Sequence, residues 1–95
     1  MSQNIEVTHN TAASRFETTV DGLQSIAEYS RSGDQILFTH TYVPGQQRGR
    51  GIAGELAHAA LEYARAENLQ VVPLCWYIAQ YIRRHPEYQP LVRDT

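Results

Sequence analysis

"HTYVPGQQRGRGIAGELAHAALEYA", His40 to Ala64, is the stretch whose reading decides the fold. It completes a strand-like run, "QILFTHTYV" (Gln35 to Val43), then passes Pro44 and a loop rich in glycine and arginine, and opens an alanine-rich helix. Proline has no N–H to give a β-ladder, so Pro44 ends the strand. From Gly51 the apolar period becomes helical. Ile52, Ala53, Leu56, Ala57, Ala60, Leu61 and Ala64 share one face, with Glu55, His58, Glu62 and Arg65 on the other. A loop that leads into a helix start presents backbone N–H groups without intrahelical partners, and the helix dipole adds positive potential. Such a junction suits an anion.

Upstream, "RFETTV" and "LQSIAEYS" flank Asp21-Gly22, the dipeptide that favours a two-residue hairpin turn. Phe16, Thr18 and Val20 alternate with Arg15, Glu17 and Thr19, as in a half-buried strand. Ile5 to Thr8 reads as a short first strand and "HNTAAS" as a polar turn. In "QILFTHTYV" the same alternation puts Ile36, Phe38, His40 and Tyr42 on one face, and Leu37, Thr39, Thr41 and Val43 on the other. Downstream, Asn68 stops the helix, "LQVVPLC" reads as a short buried strand, and "WYIAQYIRRH" as a second helix ending before Pro86. The order predicts a mixed α+β or α/β fold: antiparallel strands, a strand–helix–strand unit with a right-handed crossover, and a C-terminal helix. Pro73 interrupts pairing in the last strand. The two parallel strands are therefore expected to splay, leaving backbone groups for a ligand that carries amides.

Ninety-five residues suit one domain, 1–95, with a single modest core. The formal charge of -2 argues against general binding of nucleic acid or an anionic membrane. No apolar run approaches the ~20 residues that cross a bilayer. The start of the chain lacks the basic and apolar regions of a secretory signal. Cys75 is the sole cysteine, which excludes an internal disulfide and suits a reducing cytoplasm. Every long basic side chain is arginine. Schiff-base lysine chemistry and a phosphate-binding lysine are thus excluded, while arginine grips phosphate oxygens in a bidentate fork. His9, His58 and His85 lack ligand spacing, so no metal site is expected.

"GRGIAG" (Gly49 to Gly54) satisfies the dinucleotide pattern GxGxxG. That fold needs an acidic residue about 20 positions on, for the ribose. Here the corresponding stretch, "LQVVPLCW", has no carboxylate. The nucleotide-hydrolase loop fails too, lacking its Lys and Ser/Thr. The same residues also spell Gln46-x-x-Gly49-x-Gly51, followed by Ile52-Ala53. This resembles the Q/R-x-x-G-x-G/A pyrophosphate loop of the GNAT superfamily of N-acetyltransferases. His40, Thr41, Tyr42, Val43, Pro44, Arg48, Gly49, Gly51 and Ala53 come first; Pro73, Cys75, Tyr77, Arg84 and Pro86 follow. With the early "RFE", they resemble the minimal single-domain group of that superfamily over nearly the whole chain. Trp76 departs from the small residue expected between Cys75 and Tyr77.

The resemblance implies a reduced GNAT fold and an acetyl-CoA-dependent N-acetyltransferase acting on a small amine or a peptide. It implies that backbone near Tyr42 and Val43 polarises the thioester carbonyl. Gln46, Gly49, Arg50, Gly51, Ile52 and Ala53 would form the pyrophosphate loop, with Arg48 and Arg50 adding charge there or at the 3′-phosphate, or simply solubilising the loop. Cys75, His40 and Tyr77 are the catalytic candidates. Cys75 reads as a transient acetyl acceptor, a proton donor to coenzyme A, or an inert buried thiol. His40 reads as a general base or a histidine packed on the sheet. Tyr77 reads as the acid for the leaving thiolate, with Tyr81 one turn on as the fallback, or as core. Only "HNTAAS" fills the place of the helices that wall the acceptor site in larger relatives. The alternative to an enzyme is therefore an acyl-CoA-binding or sensing module with little turnover. A third reading is an interaction domain whose loop binds another phosphorylated ligand.

Overall fold

The computed structural model describes residues 5–92. Five strands form one sheet in sequence order: β1 (Thr8–Asn10), β2 (Arg15–Val20), β3 (Leu23–Ser32), β4 (Gln35–Tyr42) and β5 (Gln70–Pro73). The first three pairings are antiparallel and β4–β5 is parallel. Helix α1 (Ile52–Ala66) makes the crossover, and α2 (Trp76–Arg84) follows β5. At the β2–β3 turn Asp21 and Gly22 both have positive φ, as a tight primed turn requires. At the end of α1, Asn68 is left-handed and the Leu69 N–H donates to Ala64 O at 2.9 Å, which closes the last turn. No described helix is long and apolar enough to cross a membrane.

Phe16, Ala27, Tyr29, Ile36, Phe38 and Val71 of the sheet share one apolar core with Leu56, Ala60 and Leu61 of α1 and Ile78 and Ile82 of α2. The 3₁₀ segment Pro86–Leu91 closes this core with Tyr88, whose ring is buried. Its hydroxyl donates to Glu62 Oε2 at 2.6 Å and lies 3.0 Å from His58 Nδ1. The polar face of α1 thus holds the C-terminal segment, a contact that periodicity alone did not indicate.

Two expectations are corrected. The first strand is Thr8–Asn10, not Ile5 to Thr8, and it takes part of the stretch read as a polar turn. Its polar residues find partners there. His9 stacks on Phe16 at 4.1 Å with Nε2 2.6 Å from the Tyr29 hydroxyl, and Asn10 Nδ2 donates to Glu17 Oε1 at 3.3 Å. The second correction concerns β4. Glu28 pairs with His40 but Tyr29 pairs with Phe38, so Thr39 is an extra residue, a bulge. The bulge reverses the alternation. Ile36 and Phe38 are buried, whereas His40 and Tyr42 are exposed, and Thr41 and Val43 become half-buried. The single face expected for Ile36, Phe38, His40 and Tyr42 does not exist.

The parallel ladder ends at Phe38↔Pro73, where proline has no N–H to continue it. The Cys75 N–H still reaches Phe38 O at 2.8 Å. Past that point β4 runs on without a β5 partner.

Candidate active site

The parting of β4 and β5 opens a cavity of about 700 Å³, within the usual range for a small-molecule site. Four segments line it: residues 39–43 of the bulged strand, the loop positions Gln47, Arg48, Gly49 and Gly51, residues 52–54 at the start of α1, and residues 75–77 at the β5–α2 junction. One end is therefore a helix N-terminus and the other a thiol and a phenol.

At the loop end Gly49 and Gly51 have φ of 86° and 81°, a conformation that costs little only for glycine. A Cβ at either would meet nothing within 4 Å, so the requirement is conformational and not steric. Gly51 caps α1 without a side-chain hydrogen bond, which leaves the first N–H groups of the helix to be satisfied from outside it. Arg48 Nε donates to Val43 O at 3.3 Å, folding that side chain over the end of the strand. Arg50 pairs with Asp21 at 3.1 Å. Gln47 is buried and its Nε2 donates to Val20 O. A carbonyl can only accept, so the amide nitrogen must face Val20. Gln47 Oε1 is thereby left buried with no partner among the described residues. The β2–β3 hairpin thus holds the loop at two points, one buried and one at the surface.

At the other end Cys75 caps α2 with extended backbone angles. Its Sγ lies 3.5 Å from Thr41 Oγ1. Burial pushes the thiol up, but the Thr41 hydroxyl and backbone groups of Ile78, Tyr77 and Thr41 hydrogen-bond the sulfur and hold it, on balance, below its ordinary value. Burial pushes the Tyr77 phenol up, with Arg84 opposing weakly. A Cβ on Gly54 would sit 3.8 Å from the Tyr77 hydroxyl, which therefore hangs over the first turn of α1. Tyr81 lies off the cavity lining, its ring stacked on His85 at 3.8 Å. His40 is exposed on the cavity rim, opposite Glu28 in the β3–β4 ladder.

Of the residues singled out from sequence, Cys75, His40, Tyr77, Tyr42, Val43, Arg48, Gly49, Gly51, Ile52 and Ala53 meet around this cavity. Gln46 and Arg50 do not line it; Gln46 is exposed and Arg50 turns to Asp21. Thr39, Thr41, Gln47, Gly54 and Trp76 also line it and were not assigned a role. Gly54 was visible as the third glycine of the loop pattern, and Trp76 as an outsized residue beside Cys75. Thr41 stood in the motif without a role, because without the bulge it faces away from Phe38.

A family model described as GCN5-related N-acetyl-transferase matches residues 15–91. The chain is also similar to vertebrate proteins named Protein NATD1. It is 37% identical to that of Mus musculus over 92 residues, covering 94% of this chain and 84% of that protein. Against the Xenopus tropicalis protein the identity is 35% over 95 residues, covering 97% and 87%. Against the Gallus gallus protein it is 36% over 85 residues, covering 86% and 77%.

Proposed function

The chain belongs to the GCN5-related N-acetyltransferase family, and on that premise we propose that it transfers an acetyl group from acetyl-CoA to an amine. The observation that carries this reading is one continuous cavity joining the glycine loop at the start of α1 to the Cys75 thiol. Its charged lining groups also fit: Arg48 is beside the loop and, among the described residues, no carboxylate lines the cavity to repel a diphosphate.

Acetyl-CoA supplies an activated thioester. Backbone N–H groups of residues 49–52 hold its pyrophosphate, with Arg48 close by. The edge of β4 that β5 leaves uncovered past Phe38, beside Tyr42 and Val43, takes the amides of the pantetheine arm and polarises the acyl carbonyl. Hydrogen bonds that favour a negative sulfur suit Cys75 to accept the acetyl group as a thiolate, and not to stay protonated as the acid for coenzyme A. Tyr77, pushed up by burial, keeps its proton near neutral pH and is the acid. His40, exposed on the rim, takes the proton from the amine.

Calorimetric titration with acetyl-CoA, coenzyme A and NAD tests the premise. Saturable binding of the first two and none of NAD is expected; no binding of acetyl-CoA sinks the proposal. Intact mass after incubation with acetyl-CoA should show one added acetyl group, lost in Cys75→Ala. Tight binding with neither turnover nor acetylation would instead support the sensing module.

A further inference from the structure

We propose that the acceptor is a small aromatic amine that is uncharged at neutral pH, stacked on Trp76; this rests on the acetyl-transfer reading above. Three large apolar side chains are exposed among the described residues: Tyr42 at 47%, Leu74 at 62% and Trp76 at 73%. They are not scattered. Tyr42 and Trp76 both line the cavity, and Leu74 immediately precedes Cys75. Two of the three large apolar groups that these residues leave in water therefore line the same cavity. Isolated exposed apolar residues need no explanation, but a gathered set at a cavity mouth marks a surface that a ligand covers.

The charges argue for the protonation state. Among the described residues the lining contains Arg48 and His40 and no Asp or Glu. Glu28, across the ladder from His40, and Glu55, next after Gly54, both lie outside it. An ammonium acceptor would find, among the described residues, no carboxylate in the lining to offset its charge or its lost hydration. An aryl amine arrives neutral, needs no deprotonation before attack, and presents a flat ring to the indole. Trp76 meets Tyr77 at 6.0 Å in a T-shaped contact and is still largely exposed, so much of the indole is open to a ring. The transfer balances. First the Cys75 sulfur bonds to the acyl carbon, the carbon–sulfur bond to coenzyme A breaks, and Tyr77 protonates the departing sulfur. Then the amine nitrogen bonds to that carbon, the bond to Cys75 breaks to restore the thiolate, and the proton leaving nitrogen through His40 makes good the one that Tyr77 gave.

Two isomers separate ring from charge: p-toluidine is neutral near neutral pH and benzylamine is cationic. Initial rates with acetyl-CoA are measured for both, with spermidine and a lysine-containing peptide beside them. The expected result is a kcat/KM for p-toluidine at least about tenfold above the three cationic amines. Trp76→Ala should raise the p-toluidine KM by about tenfold, the reach of one aromatic pair, while the dissociation constant for coenzyme A stays within about twofold. Trp76 is the sole tryptophan, so its fluorescence gives a second readout that needs no turnover. Saturable quenching by p-toluidine with coenzyme A bound, and none by benzylamine, supports the assignment. Benzylamine, spermidine or peptide matching p-toluidine overturns it, as does an unchanged KM in Trp76→Ala. Absence of both turnover and quenching overturns it too, even where calorimetry shows acetyl-CoA bound and the acetyl-transfer premise intact.

Discussion

Replacing Thr41 with valine tests whether the bulged strand tunes the Cys75 thiol. The hydroxyl lies 3.5 Å from Sγ and is the largest of the groups that pull the thiol down against burial. Valine keeps the branched shape and the strand preference, so the sheet should stand. A hydrogen bond to a charged group contributes about 1.5–3 kcal/mol, but sulfur is a weak acceptor and Thr41 is half-buried. About 1 kcal/mol is the reasonable share, which changes the thiolate population about fivefold. A more basic thiolate is also a better nucleophile, and a Brønsted slope of about 0.4–0.5 returns about twofold. Iodoacetamide alkylation followed by intact mass reads one site only, since Cys75 is the sole cysteine. On the low-pH limb Thr41→Val should react about two- to threefold more slowly than the parent. On the high-pH plateau it should react about twofold faster. Thr41→Ser should follow the parent curve. Superimposable curves would refute the reasoning, and so would a loss of rate uniform across pH, which reports access and not acidity.

Tyr88→Phe removes the hydroxyl that ties Pro86–Leu91 to α1. A loss of about 1 kcal/mol should lower Tm by about 4–8 °C in a thermal melt, and an unchanged Tm would mean that the contact contributes nothing. The Glu62 carboxyl is held below its ordinary value, first by the Tyr88 hydroxyl, then by Arg65 and His58, with burial opposing. A depressed carboxyl stabilises above its unfolded value and loses that contribution as pH falls through its folded value. The urea midpoint of the parent should therefore fall toward that of Glu62→Gln across the acid carboxylate range, and a gap independent of pH would contradict this. Gly51→Ala meets no steric obstacle but must hold φ of 81°; it should cost about 1–2 kcal/mol and weaken acetyl-CoA binding. Gly51→Asn, which tolerates the left-handed region, should recover much of that stability in the same melt.

Much of the architecture is legible from local chemistry. Asp21-Gly22 closes the β2–β3 hairpin, Asn68 ends α1, and α1 begins at Ile52 after a left-handed Gly51. The loop spacing and the Cys75 motif pointed to one site, and ten of the named residues meet there. The departures have a common origin. β1 is placed by what His9 and Asn10 touch on β2 and β3, contacts that local periodicity does not show. Tyr88 is buried by a polar cluster on α1 that looked like a solvated face. The Arg50 side chain meets Asp21 at the hairpin tip, a partner that the loop spacing did not indicate.

Residues 40–64 by themselves determined that a strand stops at Pro44, a loop offers N–H groups, and a helix follows. Those properties follow from proline's missing donor, glycine's φ freedom and the helical period. Which way His40, Thr41 and Tyr42 face was decided only by the tertiary structure. The stretch "FTHTY" suits a strand in either register, and local sequence carries no mark of the inserted residue. The bulge exists because β3 pairs on both sides of Thr39 while β5 pairs on only one. That arrangement turns Thr41 toward Cys75 and leaves His40 and Tyr42 at the cavity mouth.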